Sequence, residues 1–87
     1  MRVHRSAHRH GIEDQDIHHA VAHALAEIEL EGADGEVGRL LILGPDRAGN
    51  LLEVVSVEQE ADALAIHAMR MRPQFGRWLS PRDREEP

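Results

Sequence analysis

Ile17-His-His-Ala-Val-Ala-His-Ala-Leu-Ala-Glu-Ile28 is the stretch on which the fold turns. Ile17, Ala20, Val21, Ala24, Leu25 and Ile28 fall at i, i+3, i+4, i+7, i+8 and i+11, a single apolar stripe at helical period. Glu13, Asp14 and Asp16 put negative charge on the first turn, where the helix dipole favours it. Ile12 and Ile17 are spaced to staple that turn. The spacing predicts one long helix ended by Gly32 and Gly35, with His19 and His23 on its solvent side.

Working outward from that helix, Val3 to His10 reads as a shorter one closed by Gly11, a favoured residue just past a helix C-terminus. On the other side come three aliphatic runs. Arg39 to Leu43 is dense enough to be covered on both faces. Leu51 to Val57 is rich in valine and leucine, and Ala63 to Met69 alternates less cleanly. Gly44-Pro-Asp-Arg-Ala-Gly-Asn50 joins the first two with turn-forming residues. The acidic Glu58-Gln-Glu-Ala-Asp62 joins the second and third. Pro73 suits the first turn of a last helix, from which Phe75, Trp78 and Leu79 cap the core. The expected class is α+β: two N-terminal helices, a three-stranded antiparallel β-meander and a short C-terminal helix.

At 87 residues the chain is long enough for one domain, drawn here over residues 1–79, with 80–87 as a frayed tail. A chain of this size buries only roughly 60–65% of its unfolded surface, and Phe75 and Trp78 are its only aromatics other than histidine. So thin a core leaves room for a partner chain to complete it, as a homodimer or a heterocomplex. There is no cysteine, hence no disulfide framework and no thiol nucleophile. The apolar run Leu40 to Leu43 cannot span a bilayer, and the N-terminus carries no secretory h-region. No membrane association and a cytoplasmic location are expected.

All ten basic side chains are arginine, and the net charge is −6. The charge is segregated: +3 over residues 1–12, −11 over 13–63 and +4 over 64–82. A binding site is made by local charge, not by the total. Arg70 and Arg72 are the leading phosphate ligands, because guanidinium presents forked donors that match phosphate oxygens at any relevant pH. Arg5, Arg9 and Arg47 are further phosphate candidates, Arg47 having the simpler alternative of pairing with Asp46. His10, before Gly11 and among arginines, is a candidate base or a helix-terminal cap. His67 lies mid-strand and is either catalytic or a satisfied strand histidine. By strand alternation it shares a face with Met69, whereas Arg70 and Arg72 have the opposite parity. Glu53, an acid in an apolar strand, is an edge residue, an arginine partner or a base. His4/His8 and His19/His23 are i,i+4 pairs, but no third ligand follows at a metal-site spacing; no metal or other cofactor is expected.

The step Arg9-His10-Gly11-Ile12 before a helix, and Ile66-His-Ala-Met-Arg-Met-Arg-Pro73 in the last strand, resemble the BrnT-type toxins of the RelE/ParE superfamily. The resemblance covers about residues 3–79. It implies a RelE/BrnT-like fold and a small bacterial toxin of a type II toxin–antitoxin pair. Such a toxin is a metal-independent endoribonuclease that cleaves RNA by 2′-hydroxyl attack, on the ribosome or off it, and is neutralised by a cognate antitoxin protein. His10 matches the histidine of the first motif and Arg70 or Arg72 the arginine of the last strand. The chain departs from the family in lacking lysine, in being acidic, and in having His67 where serine is usual. Two other readings stand beside it. One is a non-catalytic dimeric or partner-binding module using an arginine patch; the other is a histidine-rich metal-binding protein.

Overall fold

The computed structural model describes residues 1–30, 38–59 and 61–79. Five strands form one mixed sheet: β1 (Arg2–Val3), β2 (Ala26–Leu30), β3 (Arg39–Pro45), β4 (Leu51–Gln59) and β5 (Asp62–Arg70). The spatial order is β1-β5-β4-β3-β2. β1 runs parallel to β5, and every other neighbouring pair is antiparallel. One α-helix, α1 (Asp14–Ala22), crosses one face. Two 3₁₀ turns, Arg5–His8 and Pro73–Trp78, complete the described elements.

This corrects the expected RelE/BrnT-like α+β arrangement of two N-terminal helices, a three-stranded meander and a short C-terminal helix: the described residues hold one α-helix, and Pro73–Trp78 is a 3₁₀ turn. The strands expected near 39–43, 51–57 and 63–69 are the middle of a five-stranded sheet, not the whole of one. Val3 to His10 divides between an edge strand and a 3₁₀ turn. The apolar stripe running to Ile28 is not a single helix either. α1 ends at Ala22, the Leu25 N–H donates to the Leu43 carbonyl at 2.7 Å, and Ala26–Leu30 pairs with β3. Ala26-Glu-Ile-Glu-Leu30 also alternates with period two, so Ile28 satisfies both templates. Pairing along β3 supplies backbone partners and places Ala26 and Ile28 beside Leu43 and Leu41. The expected helix stop at Gly32 and Gly35 and the tail at 80–87 lie outside the described residues.

The sheet has two apolar faces. On one, Ile17 and Ala20 of α1 and Ala7 of the first 3₁₀ turn pack with Ile42, Leu52, Val54, Ala65 and Ala68, all essentially buried. Ala65 and Ala68 reach this same face despite opposite parity. Val55 pairs with His67 but Ser56 pairs with Ala65, so Ile66 is an extra residue in β5, a β-bulge. Gly44 permits the close approach of α1: a Cβ there lies 2.1 Å from the Ala20 carbonyl oxygen. On the other face Leu41, Leu43 and Leu79 are buried with Val55, Met71 and Phe75 against them. The chain reaches that face by leaving β5 at Arg70 and folding over it as the Pro73–Trp78 turn.

Charged contacts fasten the connections. Arg47, in the β3–β4 turn, donates from Nε to Asp16 at 2.9 Å and from Nη2 to Glu13 at 3.1 Å, tying that turn to the start of α1. The Arg47 guanidinium beside Asp16 holds its carboxyl below the usual carboxylate range. The Met1 ammonium lies 3.0 Å from Asp62, and Arg2 donates to Gln59 at 2.8 Å, pinning β1 beside the β4–β5 hairpin.

Candidate active site

Four of the residues singled out in the sequence gather on one face of the sheet, over β4 and β5: His10, Glu53, His67 and Arg72. Strand pairing places Glu53 between Leu43 and Met69, and His67 opposite Val55, on the face covered by the C-terminal turn. Glu53 is fully buried. Its carboxylate accepts from Arg72 Nε at 2.6 Å and from Nη2 at 3.4 Å, a forked pair. A carboxylate withdrawn this far from water is tolerable only when paired. That is the reason for an acid in the apolar run Leu51 to Val57. The Arg72 guanidinium, about half exposed, also lies 5.4 Å over the Phe75 ring.

His67 Nε2 sits 3.9 Å from Glu53 Oε1. That atom is buried and has no hydrogen-bond partner among the described residues. Native proteins seldom leave such an atom without a reason, and a functional site is one of the accepted reasons. Burial pushes the His67 imidazolium below its ordinary range; the Glu53 carboxylate opposes this, and the nearby His10 and Arg72 reinforce it. The imidazole is therefore neutral at neutral pH. The carboxylate on the Nε2 side favours the tautomer with its proton there, leaving the Nδ1 lone pair free.

His10 completes the cluster from the opposite end of the chain. Its ring meets that of His67 edge-on, with centroids 5.6 Å apart and planes at 76°. The path that brings it there is local and well braced. β1 ends against Ala65, the His4 N–H donates to the Ala65 carbonyl at 2.8 Å, and Ser6 Oγ donates to the Ile66 carbonyl at 2.7 Å. The 3₁₀ turn thus lies along the edge of β5 next to His67. Gly11, at φ +79, then turns the chain away towards α1. Ser6 and Phe75 are positioning residues that sequence reasoning did not find. Ser6 acts on a carbonyl 60 residues away, and no local pattern announces such a contact. Phe75 read only as a core cap.

The other candidates lie elsewhere. Arg70 pairs across from Leu52, so it belongs to the helix-side face and is exposed. The bulge falls before His67 and leaves that parity intact. Arg72 escapes the rule because it is beyond the strand: its backbone is extended at the entry to the C-terminal turn, which carries it back over Glu53. Arg5 and Arg9 are exposed and make no side-chain hydrogen bond or ion pair with another described residue. Arg47 is committed to Asp16, Gln15 and Glu13 and not to Asp46. His19 also departs from expectation: it is partly buried, and its Nδ1 donates to the Pro45 carbonyl at 2.8 Å instead of facing water.

Chemically, the cluster offers a neutral imidazole with a carboxylate 3.9 Å from its Nε2, a second imidazole packed edge-on against it, and a nearby guanidinium with donors beyond those Glu53 takes up. Among the described residues no group of three or more histidine, aspartate or glutamate side chains is arranged to hold a metal ion. No described helix is long and apolar enough to cross a membrane. No protein-family model, curated protein or solved structure matches the chain.

Proposed function

We propose that this chain is a small endoribonuclease of the toxin type its motifs resemble, cleaving RNA by attack of a ribose 2′-hydroxyl on the adjacent phosphate. The observation that carries the reading is the convergence of His10, His67 and Arg72 around the buried Glu53 carboxylate. The four residues are separated in sequence by 43, 14 and 5 positions, and while the buried Glu53 carboxylate accounts for Arg72, it does not require two imidazoles beside it.

In the proposed reaction His67 removes the 2′-hydroxyl proton as general base. The oxygen so freed attacks phosphorus, and the bond from phosphorus to the 5′-oxygen of the next nucleotide breaks. His10, in its protonated form, supplies the proton that this leaving oxygen takes up. Arg72 stabilises the charge that builds on the non-bridging oxygens. The products are a 2′,3′-cyclic phosphate and a 5′-hydroxyl. Base, acid and charge stabiliser all come from the chain, so the scheme is metal-independent. A cognate antitoxin protein is the partner this role requires.

The test is incubation of the purified protein with end-labelled RNA of mixed sequence in excess chelator. Cleavage is expected, falling at least 100-fold in His67→Ala, in line with the usual range for loss of a general base, and also falling in Arg72→Ala. Arg70→Ala should cleave at nearly the wild-type rate. Absence of cleavage, or cleavage indifferent to His67 and Arg72, overturns the proposal and leaves the cluster as a buried ion pair in a non-catalytic binding module.

A further inference from the structure

The C-terminal 3₁₀ turn carries two aromatic side chains with different surroundings. Phe75 is half-buried and packs against the cluster of Leu41, Leu43 and Leu79. Trp78, the only tryptophan of the chain, is 44% exposed. Its neighbour Leu79 is buried, so the turn is anchored to the sheet without the indole. Pro73 opens the turn, the Phe75 N–H donates to the Arg72 carbonyl at 3.0 Å, and the Leu79 N–H donates to the Gly76 carbonyl at 3.1 Å. The exposed ring is therefore presented from a braced segment. An arginine accompanies each ring: Arg72 lies 5.4 Å over Phe75, and Arg77 lies 4.9 Å over Trp78. Residues 64–79 hold Arg70, Arg72 and Arg77 and no acidic residue, so the local charge is positive on an acidic chain.

We propose that Trp78 and Arg77 form a stacking subsite for an unpaired nucleobase, which makes single-stranded RNA the substrate. The inference takes its ligand from the ribonuclease reading and rests on it. A flat, exposed indole offers a base the same kind of surface as its neighbour in a strand, and every base has such a face, so the contact is tolerant of sequence. The base must be unstacked to reach it, which a continuous duplex does not allow. The Arg77 guanidinium can stack on the base in turn or reach a flanking phosphate with its forked donors. Six residues of 3₁₀ turn at a rise of about 2.0 Å each separate Trp78 from Arg72 by about 12 Å along the turn. The stacked base thus belongs to a nucleotide near the scissile phosphate and not to the reacting one. Trp78 is a binding residue, and its loss should raise KM while leaving kcat unchanged.

The test uses the tryptophan itself as the reporter. The full chain is titrated at low salt with a 2′-O-methyl RNA oligonucleotide, which has no hydroxyl for the attack and stays intact, and with the duplex of the same sequence. Saturable quenching of the fluorescence is expected with the single strand, and much weaker quenching with the duplex. Followed by anisotropy of the labelled single strand, Trp78→Ala should weaken binding about tenfold, the scale of losing one stacked base, with an unchanged melting temperature. Trp78→Phe should restore most of the affinity, and His67→Ala should bind as wild type. Equal quenching by the duplex, or binding and KM both indifferent to Trp78→Ala, overturns the subsite even where RNA is cleaved. Quenching by the single strand from a protein that cleaves no RNA upholds the subsite and sinks the ribonuclease reading instead.

Discussion

Replacing Arg72 with methionine should destabilise the fold more than replacing Glu53 with methionine, although Glu53 is the buried member of the pair. Arg72→Met leaves the Glu53 carboxylate, 1% exposed, with no hydrogen-bond donor among the described residues. Removing one partner of a buried ion pair costs about 3–5 kcal/mol. The Arg72 side chain is 48% exposed, so water reaches the vacated position and the expected cost falls to about 2–3 kcal/mol. Glu53→Met substitutes an apolar side chain of similar volume in the sheet face and leaves a guanidinium free to turn to solvent. That change should cost less than about 1 kcal/mol. In a domain of this size 2–3 kcal/mol corresponds to a drop of about 10–20 °C in Tm. The assay is urea unfolding of both single variants and the double variant. The double variant should be more stable than Arg72→Met alone, because the unpaired charge is gone. Glu53→Met proving the costlier change, or simple additivity, would refute the reasoning.

Three further outcomes follow from the packing and the electrostatics. Gly44→Ala should lose about 1–3 kcal/mol or more, read by thermal melting, since its new methyl meets the Ala20 carbonyl oxygen at 2.1 Å. Ile17→Ala, fully buried under α1, should cost about 2–5 kcal/mol, whereas Leu25→Ala, 45% exposed, should stay within about 0.5 kcal/mol. The third concerns pH. The folded His67 has a depressed pKa, so the unfolded chain binds the extra proton first. Its contribution to stability is complete above the ordinary value of 6.5 and is lost as pH falls from there through the folded value. The difference in unfolding free energy between wild type and His67→Phe should shrink over that interval; a constant difference contradicts it.

The elements most legible in sequence were those with one reading. Leu40 to Leu43 and Leu51 to Val57 have strand composition and a turn-rich connector, and they pair as β3 and β4. The architecture departs from expectation where local pattern does not decide between elements. Ile17 to Ile28 fits a helix throughout, but its last residues also fit a strand, and the choice depends on β3 lying alongside. β1 is two residues long and exists only because β5 offers it an edge. The site was legible in its residue types and opaque in its geometry. Glu53 stood out as an acid in an apolar run, yet its partner lies 19 residues on and outside the strand whose alternation argued against Arg72. The meeting of His10 with His67 depends on the parallel pairing of β1 and on one hydroxyl-to-carbonyl bond, from Ser6 to Ile66. Neither has a local sequence signature.

The central claim is that the cluster of His10, His67 and Arg72 cleaves RNA through its own 2′-hydroxyl. It is tested most directly by mapping a cut site and placing a single 2′-deoxynucleotide on its 5′ side. The account predicts that cleavage at that bond disappears, that the remaining cuts are unaffected, and that they carry 2′,3′-cyclic phosphate ends. Cleavage that persists at the deoxy position would contradict it.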